Sequence, residues 1–245
     1  MRSEKSGSLQ HLVLVRHGES EGDVRREAWG QGDSQAASKR PEFEELTDRG
    51  IDQCRIAGRW ITKNIIDSYD LEAFDGYFVS PALRSEQSAI ALNLPNAAWQ
   101  VDNNLNERNR GLISGLRPEE HQRLYPRSFD EMQNKPLHWL PPQGEALIPD
   151  IVDGIRQFIT AIKKFRAVIA VTHRDRMWVA LLPLESLTET QLVAINSDDI
   201  HNGQVVHYTS VDPVSREVSS ELSWKRSVDP AASGSSTAWQ KIITL

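Results

Sequence analysis

The sequence predicts an α/β fold, a three-layer α/β/α sandwich in which a mostly parallel central sheet is flanked by helices. Three observations predict it. Apolar runs at residues 11–16, 75–79 and 167–171 are short, continuous and bounded by polar residues, as strands buried on both faces are. Segments with helical spacing of apolar residues alternate with these runs. Each run also ends on a chemically capable cluster: Arg16-His17-Gly18, then Ser80-Pro81-Ala82-Leu83-Arg84, then Thr172-His173-Arg174-Asp175. Open α/β sheets bind ligands beyond the carboxyl ends of their strands, which is where these clusters fall.

The elements follow in order. After the first strand, residues 22–45 are rich in Gly, Ser and charge and read as a long polar loop that folds over a pocket. Thr47 offers an N-cap for a helix over 48–66, with Ile51, Cys54, Ile56, Trp60 and Ile61 as its apolar face. The strand at 75–79 runs into a helix that begins near Arg84, and a short strand at 98–101 leads to Leu105 and Glu107. Residues 111–145 read as an insertion beside the pocket, followed by a helix over 149–165 with Pro149 tolerated in its first turn. A further apolar helix follows His173, and strands at 204–209 and 218–225 complete the sheet. The remainder, near 227–245, carries an Ala-Ser-Gly-Ser-Ser-Thr stretch and reads as a flexible tail.

Composition bounds the function. With 245 residues, 39% hydrophobic and 25% charged, the chain suits one compact domain spanning 1–245. A net charge of −6 argues against a general nucleic-acid binder, so affinity for anions must come from arginines focused in a cleft. The single Cys54 excludes an internal disulfide framework. The polar start at residues 1–10 lacks the apolar centre of a signal peptide, and no run is long enough to span a bilayer, so a cytoplasmic setting without membrane partners is expected. No Gly-rich Lys-Ser/Thr loop and no cysteine pair is present, and no metal or organic cofactor is expected. Asp198, Asp199 and His201 admit a metal-ligand reading, but a polar loop turning at Asn202-Gly203 into a hairpin is favoured. The sequence does not decide between a monomer and a homodimer.

If the three strands are neighbours, Arg16, His17, Arg84 and His173 converge on one pocket. Phosphoryl transfer needs a nucleophile in line with the leaving oxygen and positive charge around the equatorial oxygens. A neutral imidazole of His17 can attack phosphorus and form a phosphohistidine, and neighbouring guanidiniums disfavour its protonated form. Arg16 and Arg84 each offer a planar fork of N–H donors to phosphate oxygens, and His173, if protonated, adds a further donor.

The motifs Arg16-His17-Gly18-Glu19-Ser20, Ser80-Pro81-Ala82-Leu83-Arg84, Leu105-Asn106-Glu107-Arg108 and Thr172-His173 stand in the order found in the histidine phosphatase superfamily, and the chain from about residue 11 to about 211 resembles its phosphoglycerate mutase-like branch. The resemblance implies that Glu107 donates a proton to the leaving oxygen and then activates water. It also places Ser20, Asp23, Arg108 and Arg174 around the phosphate or substrate. Two departures stand out: the family's usual Asn is Asp23 here, and its usual glycine after the second histidine is Arg174. A carboxylate at position 23 facing the transferred phosphate would oppose a dianion and favour acidic pH; alternatively Asp23 turns away to pair with Arg25 or Arg26. In the insertion stand Arg117, His121, Arg123, Arg127, His138 and Trp139, its arginines read as a solvated face and Trp139 as packing.

The reading drawn from these residues is a metal-independent phosphomonoester hydrolase acting on a small phosphorylated substrate. The alternatives are a cofactor-dependent phosphoglycerate mutase and a phospho-ligand binding module with weak turnover. Mutases of the family carry adjacent arginines in the insertion, and no such pair occurs between Gly111 and Glu145, which favours hydrolysis.

Overall fold

A computed structural model describes residues 8–30 and 43–242. Its centre is a seven-stranded sheet in the order β3-β2-β4-β1-β5-β6-β7. The strands are β1 (His11–Arg16), β2 (Gly76–Val79), β3 (Trp99–Val101), β4 (Ala167–Thr172), β5 (Val205–Thr209), β6 (Trp224–Val228) and β7 (Gln240–Lys241). The pairings β1–β4, β4–β2 and β2–β3 are parallel, whereas β5, β6 and β7 join antiparallel, so the sheet is mixed. Because β2, β4 and β1 are adjacent and parallel, their carboxyl ends lie side by side, and the three clusters expected at strand ends share one edge.

Every residue of β1 and of β4 is buried, as unbroken apolar runs covered on both faces require. Leu12, Leu14, Val168 and Ala170 face a core closed by Ile155, Phe158 and Ile162 of α4 (Val152–Ile162). Val13, Val15, Ile169 and Val171 face the opposite core, closed by Ala57 and Ile61 of α2 (Asp48–Ile61) and by Ala89 and Leu92 of α3 (Leu83–Leu92). The period of two along each strand thus fills both outer layers. Thr47 caps α2 as expected, its hydroxyl accepting from Gly50 N at 3.0 Å.

Three expectations need correction. The loop expected from residue 22 begins as helix α1 (Glu21–Gly30), and residues 31–42 of it lie outside the described residues. The cause is a capping box: Ser20 Oγ accepts from Asp23 N at 3.3 Å while the Asp23 carboxylate accepts from Ser20 N at 2.9 Å. The last long strand is displaced from 218–225 to Trp224–Val228, because Asp212 accepts from Val214 N and Ser215 N and folds the chain into a turn, leaving Val218 with a single bridge to Val211. The tail expected to be flexible returns to the sheet: β7 pairs with Trp224 and Lys225, and Trp239 lies under the Arg226 guanidinium at 4.4 Å and against the His207 ring at 5.2 Å. No helix among the described residues is long and apolar enough to cross a membrane.

Candidate active site

The loop after β1 is fixed from three sides. His17 N donates to Thr172 O at the end of β4 (3.0 Å), Gly203 N reaches the carbonyls of Arg16 and His17 (3.2 and 3.1 Å), and Gly18 N donates to Ser88 Oγ of α3 (3.0 Å). Gly18 must be glycine, since a Cβ there would lie 2.2 Å from Gly50 O in the first turn of α2. His17 is buried, and its Nδ1 sits 2.7 Å from Gly18 O. A carbonyl can only accept, so Nδ1 carries the proton and Nε2 keeps its lone pair.

That lone pair meets Arg84, in the first turn of α3. Arg84 Nε is 3.3 Å from His17 Nε2, and its Nη2 lies 3.1 Å from Glu107 Oε2 and 3.3 Å from His173 Nδ1. Its Nη1 is 3.7 Å from the buried Glu44 carboxylate. Glu107 arrives on the segment after β3, while His173 follows the last residue of β4 and precedes α5 (Arg174–Val179). His173 is oriented by Ser80 Oγ at 2.7 Å from Nε2, its Nδ1 is 3.3 Å from Glu107 Oε2, and the two imidazole rings stand 5.1 Å apart edge to face. Arg16 donates from Nη1 to Ile200 O (2.7 Å) and from Nη2 to Asp23 Oδ1 (2.9 Å), and its buried Nε has no partner among the described residues. The structure therefore brings His17, Arg16, Arg84, Glu107 and His173 together.

Electrostatics set their protonation. Burial, reinforced by His173, Arg84 and Arg16, holds the His17 imidazole well below its ordinary value, and Asp23 does not reverse this. His173 is also lowered, first by burial, and Glu107 beside it does not restore its charge. For Glu107 burial works toward the neutral acid, but the hydrogen bond with His173, together with the Arg84 and Arg110 guanidiniums, outweighs it and holds the carboxyl well below the usual carboxylate range. The site thus pairs a neutral imidazole with an ionised carboxylate across one guanidinium.

His17, Glu107 and His173 offer donor atoms within 4.8 Å of one another, the size of a metal site. Arg84 is within hydrogen-bond distance of all three, so a guanidinium already supplies positive charge where a cation would sit.

The remaining expected residues divide. Asp23 lines the cavity but does not point a bare charge at it: its oxygens accept from Arg16 and Arg26, from Ser20 N and Oγ, and from Asn202 Nδ2. Arg16, Arg26 and the Ser20 hydroxyl hold its carboxyl far below the usual range against the effect of burial, so an acidic preference through protonation of Asp23 is not supported. Ser20 serves Asp23 and the start of α1. Arg108 lines the cavity, yet its Nε and Nη2 are given to Glu145 O and Trp139 O (2.8 and 2.9 Å), bracing the insertion. Arg174 stands at the mouth, ion-paired with Asp198. His201 pairs instead with Asp229 at 3.3 Å, so Asp198 and His201 have separate partners, and Asn202-Gly203 forms a turn that enters β5 without a hairpin. Trp139 is buried packing, its Nε1 donating to Ser128 Oγ.

Several functional positions escaped the sequence. Asn202 bridges His17 O and Asp23 (both 3.2 Å), Glu44 pairs with Arg25, and Arg110 pairs with Asp175 at 3.3 Å on the cavity wall. None of these had a local signal; the anchoring of Asp23 did, since Ser20-x-x-Asp23 has the spacing of a capping box. The cavity these residues line is about 770 Å³, ample for a phosphate and an organic group.

Comparison with known proteins agrees. The profile of the histidine phosphatase superfamily (branch 1) matches residues 12–218. A 2,3-bisphosphoglycerate-dependent phosphoglycerate mutase of Methylobacterium radiotolerans is 28% identical over 192 residues, covering 74% of this chain and 82% of the relative. Among solved structures, the alpha-ribazole phosphatase of Shigella flexneri superposes with a TM-score of 0.64 at 16% identity, covering 87% of this chain and 96% of the other. A mycobacterial glucosyl-3-phosphoglycerate phosphatase superposes at 0.63 and 18% identity, covering 82% and 92%. The chain belongs to the histidine phosphatase superfamily.

Proposed function

We propose that this member of the superfamily is a phosphomonoester hydrolase that needs no metal ion and acts through a phosphohistidine on His17. One observation carries the reading: the unprotonated Nε2 of His17 and the Glu107 carboxylate flank a single guanidinium, with Arg16 Nε left as a further donor.

A phosphate group seated here takes hydrogen bonds from Arg84, Arg16 and His173. His17 Nε2 attacks phosphorus as the bond to the leaving oxygen breaks, and Glu107 supplies the proton that this oxygen acquires. Glu107 is ionised while Arg84 faces it; an incoming phosphate competes for that guanidinium and brings negative charge, and both effects favour a protonated Glu107. In the second half Glu107 takes a proton from water as its oxygen attacks phosphorus. The P–N bond breaks, releasing inorganic phosphate and restoring Nε2.

The relatives named phosphoglycerate mutases make isomerase activity the second reading. Hydrolysis is favoured because, of Arg117, Arg123 and Arg127 in the insertion, only Arg117 lines the cavity, and it is paired with Glu120 at 3.3 Å. The test is a screen of phosphate esters for released phosphate, with magnesium or with chelator. Net release unaffected by chelator supports the hydrolase; rapid interconversion of 3- and 2-phosphoglycerate without release supports the mutase.

A further inference from the structure

We infer that Arg26 is a phosphate-binding residue of this site and that Asp23 is the positioning residue that holds it there. The inference rests on the phosphoryl-transfer reading of the cavity, and it explains an otherwise unfavourable feature. Asp23 Oδ2 lies only 3.9 Å from His17 Nδ1, and its side chain is 12% exposed in the wall of the cavity. An uncompensated carboxylate at that range would oppose an anion beside His17.

The carboxylate is compensated in full. Oδ1 accepts from Arg16 Nη2 (2.9 Å) and Arg26 Nη2 (2.7 Å), and Oδ2 accepts from Ser20 N (2.9 Å), Ser20 Oγ (2.7 Å) and Asn202 Nδ2 (3.2 Å). Five donors saturate the lone pairs of one carboxylate and leave none to face the cavity. What the couple presents is therefore guanidinium.

The two guanidiniums are not equivalent. Arg16 has both terminal nitrogens engaged, one by Asp23 and one by Ile200 O, and it is buried. Arg26 stands one turn after Asp23 on α1, so both side chains leave the same face of the helix. Its side chain is 52% exposed and lines the same cavity as His17, Arg84 and Glu107. An ion pair between two exposed side chains at this spacing would fix little. Here the acid's side chain is only 12% exposed and is held by four other hydrogen bonds, so the pair anchors one nitrogen of Arg26 and aims the rest of a rigid fork of donors into the cavity. The pair adds no net charge to the wall, yet it gives the phosphate a donor on the side where Arg16 is already committed.

The test uses the full chain and two readouts: calorimetric binding of inorganic phosphate and orthovanadate, and steady-state hydrolysis of p-nitrophenyl phosphate. Arg26→Ala weakens phosphate binding about tenfold and raises KM more than it lowers kcat, and Arg26→Lys recovers only part of the loss. Adding Asp23→Asn to Arg26→Ala restores part of the binding lost in Arg26→Ala alone, because a carboxylate left with one guanidinium instead of two is removed. A structural role for Asp23 predicts the opposite, further loss in the double variant, and melting curves report whether each variant is folded. Wild-type affinity in Arg26→Ala, or tighter phosphate binding in Asp23→Asn alone, overturns the inference. Failure of the wild type to bind either anion overturns it together with the functional reading. Binding that follows the expected pattern without hydrolysis of any ester overturns the hydrolase reading alone.

Discussion

Arg84 Nε stands 3.3 Å from His17 Nε2, so the guanidinium and the imidazole's lone pair share one line of approach. The same side chain touches Glu107 and His173, which makes Arg84 the hub on which the proposed nucleophile, the proposed proton carrier and the second histidine are registered. Removing the hub costs both charge stabilisation and alignment. Arg84→Ala should lower kcat by about 10²–10³-fold, the loss typical of one preorganised donor. Arg84→Lys should recover little, since a single ammonium cannot reach three partners at once. Activity in the lysine variant within about threefold of wild type would refute the hub role.

The nucleophile assignment gives a chemical test. After incubation with a turned-over ester, alkaline quench and peptide mapping should place an acid-labile phosphate on His17, and His17→Ala should retain less than about 0.1% of wild-type turnover. Phosphate found on Ser20, or hydrolysis unchanged in His17→Ala, would exclude the mechanism.

Glu107 should reveal itself through the leaving group. Glu107→Gln should slow hydrolysis of alkyl phosphates by about 10²–10⁴-fold, because an alkoxide cannot leave without a proton. The formation of phosphoenzyme from p-nitrophenyl phosphate should suffer much less, since nitrophenolate leaves unaided. In burst kinetics the variant would then accumulate phosphohistidine, the second step still lacking its base. Equal losses for both leaving groups would remove Glu107 from proton transfer.

The rate should depend on pH through the same group. Burial and cationic neighbours keep His17 neutral far below its ordinary value, so no loss of kcat/KM is expected as pH falls through about 6.5. Glu107 is ionised in the free protein, so the leaving group's proton must arrive with the ester's monoanion or be taken up on binding. The second ionisation of a phosphomonoester lies near pH 6, so kcat/KM should fall about tenfold per unit above it. Asp23→Asn should leave this alkaline limb in place. Loss of the limb in that variant would return the acidic preference to Asp23.

Much of this site was legible because it is local. Arg16-His17-Gly18, Arg84 and His173 each follow a buried strand, and once β2, β4 and β1 lie side by side their convergence is a consequence of topology. The compensation around Asp23 was not legible in full: it draws on Arg26 one turn away, but also on Asn202 and Arg16, and a partner 179 residues distant leaves no periodic trace. Glu44 reads as one acid in a charged loop, and only packing against Arg25 and Arg84 gives it a place. The tail misled for a similar reason. Its composition is that of a flexible segment, and the residues that fasten it, Trp239 to β7, act through Arg226 and His207 on other strands.

That fastening involves a second pair of buried histidines, which sets how the fold responds to acid. His11 Nδ1 lies 3.2 Å from His207 Nε2, so one nitrogen donates and the other accepts. Burial and the charges of Arg166, Arg216 and Arg226 lower His11 to about 4, and burial, with His11 and Arg226, lowers His207 as well. A histidine whose folded value lies below its unfolded value of about 6.5 leaves the unfolded chain holding more protons in the interval between them. Stability should therefore be full above pH 6.5 and decline as pH falls toward 4, each such histidine adding a slope of up to about 1.4 kcal/mol per pH unit. His17 and His173 are lowered too, so the acid limb should be steep and should begin above the range where carboxylates protonate. Urea midpoints at pH 7, 6 and 5 measure it. Replacing His11 with Gln, which keeps a donor and an acceptor but no titrating ring, should lower stability at pH 7 and flatten the decline between pH 6 and 5 by about one histidine's share. An unchanged slope in that variant would mean that His11 is already charged in the fold, and that Arg226 and Trp239 rather than a neutral histidine pair hold the carboxyl-terminal strand in place.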